Sequence, residues 1–363
     1  MKSYCKGLVI TRDMVADAYA EWRRNESGRK NYKRVMEEYG SPDSMIDEIF
    51  VEISSRTLCF RPIRRSKRRD RTNGKERVIG IASIKQQVCD YLCVMAMNEF
   101  LNRRSGFYQT ANERGKGLRL CRNALRRWSR TERYFIKADI RKCYPSIKTD
   151  AVMRVLRKYV RSEDVLYVCE TILGTYEGCL EIGSYFSLKM AQLILSFLYH
   201  HVESMGKVRR NRWVSLVRHQ IWHLDDMIIT GNDKRNLKMA MRRLDGYAMS
   251  EFGLEFKPWK VCKLGRYERL DLGGWVAYDG KVVLRGTLFL RATRSFARFS
   301  KTRTLALAKR VVSYWGWLRN GDCSEVIMAR GLGKVFSLAR SMISRATRRE
   351  RKRVETHTSV YAA

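Results

Sequence analysis

The stretch from Tyr134 to Ile147, YFIKADIRKCYPSI, opens with Tyr134, Phe135, Ile136 and Ala138 around a single lysine and closes its apolar part at Asp139-Ile140. So short a run, rich in aromatic and β-branched residues and broken by Cys143-Tyr144-Pro145-Ser146, predicts a largely buried strand over 134–140 with an aspartate at its end. A turn and a helix follow, the helix capped by Thr149 or Asp150 ahead of Ala151-Val152. Further along, Trp213 to Thr230 holds two apolar segments that flank Leu224-Asp225-Asp226, the pattern of a β-hairpin with carboxylates at its tip.

Asp139 and the Asp225-Asp226 pair are embedded in apolar sequence, where an unpaired charge is costly. Taken alone, each aspartate is compatible with a structural role. Brought together they repel, and the usual compensation is an arginine or a divalent cation. Carboxylate oxygens suit Mg²⁺, which binds through one or two of them plus substrate phosphates. Three such groups in a protein rich in phosphate-binding charge suggest two-metal phosphoryl transfer, one ion activating a hydroxyl and the other stabilising the leaving oxygen. A site built instead from His219, His223 and Asp225 fails, because residues four apart on a strand are about 13 Å distant.

The phosphate-binding charge comes from the whole chain. Its 363 residues carry 73 Lys and Arg against 37 Asp and Glu, a formal charge of +36. Self-repulsion of that size is usually tolerated where a polyanion neutralises it, and nucleic acid is the leading partner. With 45% hydrophobic residues the chain can bury a large core and is not of disordered composition. Ten cysteines stand singly, without Cys-x-x-Cys or zinc-ligand spacing, which fits a reduced, intracellular protein. Met1 to Asp13 lack a signal-peptide pattern, and the longest apolar stretch, Met190 to Tyr199, falls short of the roughly 20 residues a bilayer demands. No membrane partner is expected.

Outward from the acidic elements, residues 1–60 form an N-terminal segment to which no chemistry is assigned. From Arg61 to Arg77 nine of seventeen residues are Lys or Arg, with Asn73-Gly74 as a hairpin turn signal. Any one of these could belong to a solvated face; as a group they read as a phosphate-contacting hairpin. Ile84, Val88, Tyr91, Leu92 and Met95 recur at helical spacing and predict an amphipathic helix over 83–101, then an arginine-rich helix over 118–130. Tyr185 to Val202, apolar on nearly every side, reads as a buried helix. Leu237 to Phe252 is helical and stops at Gly253, and Leu272 to Arg285 is a second hairpin turning at Asp279-Gly280. Residues 286–363 are helical and basic, closing with RATRRERKR at 345–353.

Taken in order, these segments resemble the motifs of reverse transcriptases. YFIKADIRKCYPSI is similar to motif A, IGSYFSLKMAQLILSFLY to motif B, HLDDM to the Tyr-x-Asp-Asp box of motif C, GLEFKPWK to motif D and LGGWVAYDGKVVLR to motif E. With GKERVIGIASIKQQVCDYL and SYWGWL the resemblance covers roughly Arg61 to Leu318. It is closest to the bacterial and phage enzymes, with palm motifs like those of group II introns, and above all to the diversity-generating retroelement type. It implies an α+β, right-hand polymerase: fingers over 61–132, a palm of antiparallel sheet plus helices over 133–285, a helical thumb over 286–344 and a basic tail over 345–363.

The resemblance also implies roles. Asp139 and Asp225, with Ile140 beside them, would hold two Mg²⁺ ions, Mn²⁺ being able to substitute, and Asp226 would complete the acidic set. Tyr144 matches the steric gate that favours dNTP over NTP, although a palm-core tyrosine would look the same. Arg77 and Lys75 match cations that grip the triphosphate. Lys260 falls where motif D supplies a lysine that can protonate pyrophosphate, and Lys257 is close enough to compete. Gly183 and Ser187 match positions near the nascent base pair and template, and Arg291, with Arg285, Arg294 and Arg298, would track the template-primer backbone, the alternative being a solubilising surface.

Three departures stand out. His223 replaces the motif C aromatic that touches the primer terminus, Leu188 stands where many relatives have Gln or Pro, and Ile182 precedes Gly183 where high-fidelity enzymes place Gln. An aliphatic residue there marks the diversity-generating enzymes, which miscopy template adenines. No Val-Thr-Gly of the retron thumb follows the palm, and nothing after the thumb suggests an RNase H, maturase or His-Asn-His nuclease. A bare cytoplasmic polymerase, bacterial or phage-encoded, is therefore expected. Its partners would be an RNA template, a DNA or RNA primer and dNTPs, together with a structured noncoding RNA and a small basic accessory protein. The alternatives are a phage-defence or other bacterial reverse transcriptase, or a non-catalytic RNA-binding relative; intact aspartates argue against the last.

Overall fold

Helices and antiparallel strands alternate along the chain. The computed structural model describes residues 2–25, 29–69, 74, 76–111, 115–265 and 267–360, with 29, 30 and 350–360 as backbone only. Three helices come first, α1 (Arg12–Asn25), α2 (Arg29–Tyr39) and α3 (Pro42–Ser54). At the start of α3 the Ser41 hydroxyl accepts the Ser44 amide and Pro42 supplies a pre-set φ. The basic hairpin follows as β1 (Arg64–Arg69) and β2 (Glu76–Ile81), antiparallel, with Arg68 opposite Arg77 and Arg69 opposite Glu76. Asn73 and Lys75 lie outside the described residues.

The single helix expected over 83–101 is two, α4 (Ile84–Ala96) and α5 (Asn98–Arg104). Met97 leaves helical geometry between them, and both Met97 and Phe100 are fully buried, Phe100 stacking on Tyr159 at 5.3 Å. Next come α6 (Gly117–Thr131), β3 (Tyr134–Asp139), α7 (Cys143–Ser146), α8 (Thr149–Tyr159), α9 (Glu163–Gly174) and α10 (Tyr185–Ser204). Thr149 and Asp150 do not cap α8 but lie in its first turn. The Thr149 amide is satisfied by the Gly178 carbonyl at 3.2 Å, so no capping side chain is needed.

Trp213 does not belong to the acidic hairpin. It sits in a separate one, β4 (Gly206–Arg209) and β5 (Arg212–Ser215), and the acidic hairpin is β6 (His219–His223) and β7 (Asp226–Gly231). Arg210 and Asn211, both at positive φ, turn the chain between β4 and β5, and this local pairing keeps Trp213 from extending β6. The remaining elements are α11 (Lys234–Phe252), β8 (Val261–Lys263), β9 (Leu270–Leu272), β10 (Trp275–Tyr278), β11 (Lys281–Leu284), α12 (Gly286–Lys301), α13 (Leu305–Asn320), α14 (Ser324–Ala329) and α15 (Leu332–Val360). Helix α15 runs through the basic residues 345–353 as far as Val360; residues 361–363 lie outside the described residues.

The chain forms two compact units. The first comprises Met1–Ala111, Ala138–Met227 and Arg235–Trp259. Its hub is α4, which packs against α1, α9 and α10 through Ile84, Val88, Cys89, Leu92 and Cys93. Each of the aliphatic side chains Ile84, Val88 and Leu92 contributes roughly 1.5–3 kcal/mol on burial. Trp22 of α1 is buried there with its indole N–H on Gln87 at 3.0 Å.

The second unit comprises Asn112–Lys137, Ile228–Lys234 and Lys260–Ala363. In it Cys121, Ala124, Leu125 and Trp128 of α6 face the antiparallel sheet β9-β10-β11, while Arg119, Arg127 and Arg130 stay outside. Asp279 and Gly280 turn β10 into β11, both at positive φ as a two-residue hairpin loop of this hand requires. β3 pairs with β8, Tyr134 opposite Lys263. Helices α12 to α15 pack together, Trp315 stacking on Phe336 at 4.7 Å.

Candidate active site

The first unit gathers the acidic residues. Asp139 ends β3, and Asp225 occupies the two-residue turn, Leu224-Asp225, between β6 and β7. Leu224 has φ +57, a conformation that costs a non-glycine residue on the order of 1–2 kcal/mol. That strain is held at the tip that presents Asp225. The Ile140 amide donates to the Asp225 carbonyl at 3.3 Å, tying the end of β3 to the hairpin tip. Ile140 is buried and its side chain carries no donor atom, so a cation could take from it only a main-chain oxygen.

A third segment comes from the end of α11. Gly253, at φ +65, stops the helix, and the Leu254 amide returns to the Ala248 carbonyl at 3.0 Å. The chain then runs antiparallel to 139–141: Arg141 N–H donates to the Glu255 carbonyl at 2.8 Å, Ile140 faces Phe256, and Lys257 N–H donates to the Asp139 carbonyl at 2.9 Å. Phe256 is buried with its ring edge-on to Trp222, and the Trp259 indole N–H on Asp245 at 2.8 Å ties the segment back to α11. This register puts Lys257 Nζ 2.6 Å from Asp139 Oδ1, an ion pair without hydrogen-bond alignment.

Burial pushes the Asp225 carboxyl above the usual carboxylate range. Asp139 and Asp226 add to the rise through like charge, against the pull of a backbone hydrogen bond and of Lys257. Burial also holds neighbouring groups neutral. The Cys143 thiol is pushed up to about 12, with Asp225 and Asp139 adding to the effect. The Tyr144 phenol is raised by burial, then by Cys143 and Asp225. His223 is lowered by burial, opposed by Asp226, and its Nδ1 lies 3.1 Å from the Thr110 hydroxyl; it is uncharged at pH 7.

The other residues singled out in the sequence fall into two groups. Ile182 and Gly183 lie directly on β2, the strand that carries Arg77: the Gly80 amide donates to the Ile182 carbonyl at 2.8 Å. Gly183 has φ +120, and a Cβ there would stand 2.5 Å from the Gly80 carbonyl oxygen, so only glycine fits. Arg77 is exposed and stands opposite Arg68 across the hairpin. Ser187, by contrast, is fully buried, its hydroxyl accepting the Glu181 amide at 3.3 Å. Arg65 pairs with Glu177 and Glu181, Lys260 Nζ with Glu268 at 2.7 Å, and Arg285 with Asp271. Arg291 is half-buried on α12, while Arg294 and Arg298 are exposed.

Among the described residues no three His, Cys, Asp or Glu side chains form a ready-made metal cage. The donor chemistry nevertheless fits a hard cation: Asp139 and Asp225 offer carboxylate oxygens, they repel one another, and a lysine ammonium already sits against one of them. Mg²⁺ commonly takes one or two carboxylates and completes its shell with water and substrate phosphate.

No protein-family model matches the chain, and no curated protein is similar to it. Among solved structures it is similar to telomerase from Candida albicans in complex with a TWJ fragment of telomeric RNA, at 12% identity over 78% of this chain and 55% of that one, with a TM-score of 0.46. It is also similar to apo telomerase from Candida tropicalis truncated from its C-terminal domain, at 13% identity over 62% and 54%, with a TM-score of 0.42. The chain spans about half the length of each. None of its described helices is long and apolar enough to cross a membrane.

Proposed function

We propose that the chain is an RNA-directed DNA polymerase that extends a DNA or RNA primer on an RNA template. The observation that carries this reading is the convergence of Asp139 and Asp225 beside Lys257, from three segments whose sequences resemble motifs A, C and D. Asp139 and Asp225 would hold two Mg²⁺ ions, with Mn²⁺ able to replace them; bound there, the ions supply activation of the primer hydroxyl and charge stabilisation at the leaving oxygen. Arg77 grips the triphosphate, with Lys75 assisting. Tyr144, uncharged and half-buried one turn beyond Asp139, packs its ring where a ribose 2′-OH would stand. Lys257, already at the carboxylates, takes the proton-donor role that Lys260 would otherwise fill, and the fingers, palm and thumb follow the borders given by the motifs.

Within that reading, Ile182 favours the error-prone enzyme of a diversity-generating retroelement, working with a structured noncoding RNA and a small basic accessory protein. The test is extension of a primed RNA template with Mg²⁺ and dNTPs, followed by sequencing of the product. Full-length cDNA with errors concentrated at template adenines, corrected by Ile182→Gln, is the expected result. Faithful cDNA would leave a reverse transcriptase of another kind, such as one used in phage defence. No product even with the native RNA and accessory protein would identify a non-catalytic RNA-binding relative.

A further inference from the structure

The hairpin Gly206–Ser215 has no part in the chemistry above, yet its composition is unusual for its setting. It reads GKVRRNRWVS, and from Val208 to Ser215 every residue is exposed. Val208 is 68% exposed and Trp213 65%. The register makes Val208 and Trp213 direct cross-strand neighbours on one face, while Arg209 faces Arg212 on the other and Arg210 stands at the turn. Among the described residues no carboxylate pairs with Arg209, Arg210 or Arg212. Two-stranded ribbons are marginal in water unless held, and this one is held at its base. Lys207 Nζ lies 2.7 Å from the Asn236 side-chain oxygen on α11, Arg243 donates to the Gly206 carbonyl at 3.4 Å, and the Leu216 amide donates to the Met205 carbonyl at 3.0 Å.

The tryptophan has a defined posture. Gly206 lies under the indole ring, close enough that a methyl group in place of its hydrogen would collide with the ring. One face of the indole is thereby covered by backbone and the other is left to solvent. A rigid, half-covered aromatic flanked by three uncompensated guanidinium groups, which neither a core nor a carboxylate partner explains, matches what an unpaired nucleotide strand requires. Such a strand needs a π-face for one base and cations for the phosphates on either side. Facing arginines also repel one another, so a polyanion is the occupant the charge selects.

We propose that β4-β5 is a stacking platform for single-stranded RNA, Trp213 carrying a base and Arg209, Arg210 and Arg212 its flanking phosphates. The choice of RNA over DNA rests on the polymerase reading; the site itself does not. The experiment is fluorescence anisotropy of the full chain with a labelled single-stranded RNA of about twelve nucleotides, the DNA of the same sequence, and the RNA duplex. Trp213→Ala is expected to weaken single-stranded RNA binding by roughly tenfold, Trp213→Tyr to restore most of it, and the duplex to be much less affected. The triple change Arg209→Gln, Arg210→Gln, Arg212→Gln should lower the slope of log affinity against log salt by about 2.

Unchanged affinity in Trp213→Ala, or equal losses on single strand and duplex, would overturn the platform. So would a dimer of the wild-type chain that Trp213→Ala dissolves, since the apolar face would then be a contact between copies. Equal or tighter binding of the DNA strand would overturn the choice of RNA. The arginine variant changes only exposed side chains and carries the test alone if Trp213→Ala does not fold. Failure here and failure of the polymerase reading are separable: wild-type chain that makes no cDNA but binds RNA through Trp213 sinks only the latter. Full extension with Trp213-independent binding sinks only the platform.

Discussion

Two hairpins separated by Leu216, Val217 and Arg218 use charge in opposite ways. In β4-β5 the arginines stand in water and, among the described residues, no carboxylate answers them. In β6-β7 the strand residues Gln220, Ile221 and Trp222 are buried, and the tip carries two aspartates into a half-buried setting where Lys257 meets Asp139. A charge in water is screened within about 8–10 Å and acts as a field, with little demand on geometry. A carboxylate taken out of water has its pKa raised and must be met by a partner placed at contact distance. Affinity without precision belongs to the first hairpin, and chemistry to the second.

The largest effect expected follows from that division. Asp225→Asn should reduce cDNA synthesis to background while leaving RNA affinity and its salt dependence at wild-type values, because the exposed cations are untouched. Primer extension and anisotropy on the same preparation check it; retained polymerisation would break the assignment of the acidic tip.

Stability should divide the hairpins in the same way. Ile221→Ala removes a fully buried side chain and should cost about 2–5 kcal/mol, read from the urea midpoint. Val208→Ala, at a position 68% exposed, should cost no more than about 0.5 kcal/mol. Similar losses at both sites would mean that β4-β5 is buried against something in solution.

Much of this contrast is legible in the amino-acid sequence. Apolar runs interrupted by acid mark both β3 and the tip of β6-β7, and Asp279-Gly280 announced its turn. What escaped the sequence depended on register or on turns without glycine. Lys257 and Lys260 are three residues apart in an aperiodic segment, and only the pairing of Lys257 with Asp139 separates them. The β4-β5 turn uses Arg210-Asn211, where asparagine tolerates the left-handed region but no glycine advertises it, and the apolar face of so short a ribbon is marked only by Val208 and Trp213. The break at Met97 has no proline or glycine either, and burial of Met97 and Phe100 alone explains it. Ser187, singled out by its place in motif B, stands between Phe186 and Leu188 in a helix apolar on nearly every side and is buried there, its amide donating to the Ser184 cap.

A buried carboxylate with no cation beside it extends the comparison. Asp90 is 1% exposed, accepts the Ser184 hydroxyl at 2.7 Å, and keeps Oδ1 buried without a hydrogen bond. Burial pushes its pKa up to about 7, against the pull of Ser184 and the Phe186 and Tyr185 amides. Between the ordinary carboxylate range and pH 7 the folded chain therefore holds a proton that the unfolded chain has lost, so this group's contribution to stability falls as pH rises through that window and levels off above it. The fall should amount to a few kcal/mol at most. Urea unfolding at pH 5, 6, 7 and 8 should show a shallower decline in Asp90→Asn than in wild type; parallel profiles would show that Asp90 ionises normally.

The smallest expected effect concerns Lys257, and it asks whether the acidic tip is arranged for a cation or for the lysine. Exposed ion pairs contribute about 0–1 kcal/mol, and Lys257 is about half exposed, so Lys257→Met should lower cation-free stability only slightly. Its effect on cation binding should have the opposite sign. With the ammonium gone, a divalent ion no longer competes for Asp139, and Mn²⁺ should bind several-fold more tightly, measured directly by titration of free Mn²⁺ with the full chain. Lys260→Met, which loses only its exposed contact with Glu268, should leave that affinity unchanged. If Lys257→Met weakened Mn²⁺ binding, the lysine would be holding the carboxylates open for the ion rather than standing in its place, and the contrast between a charge that is placed and a charge that is merely present would need a different buried partner.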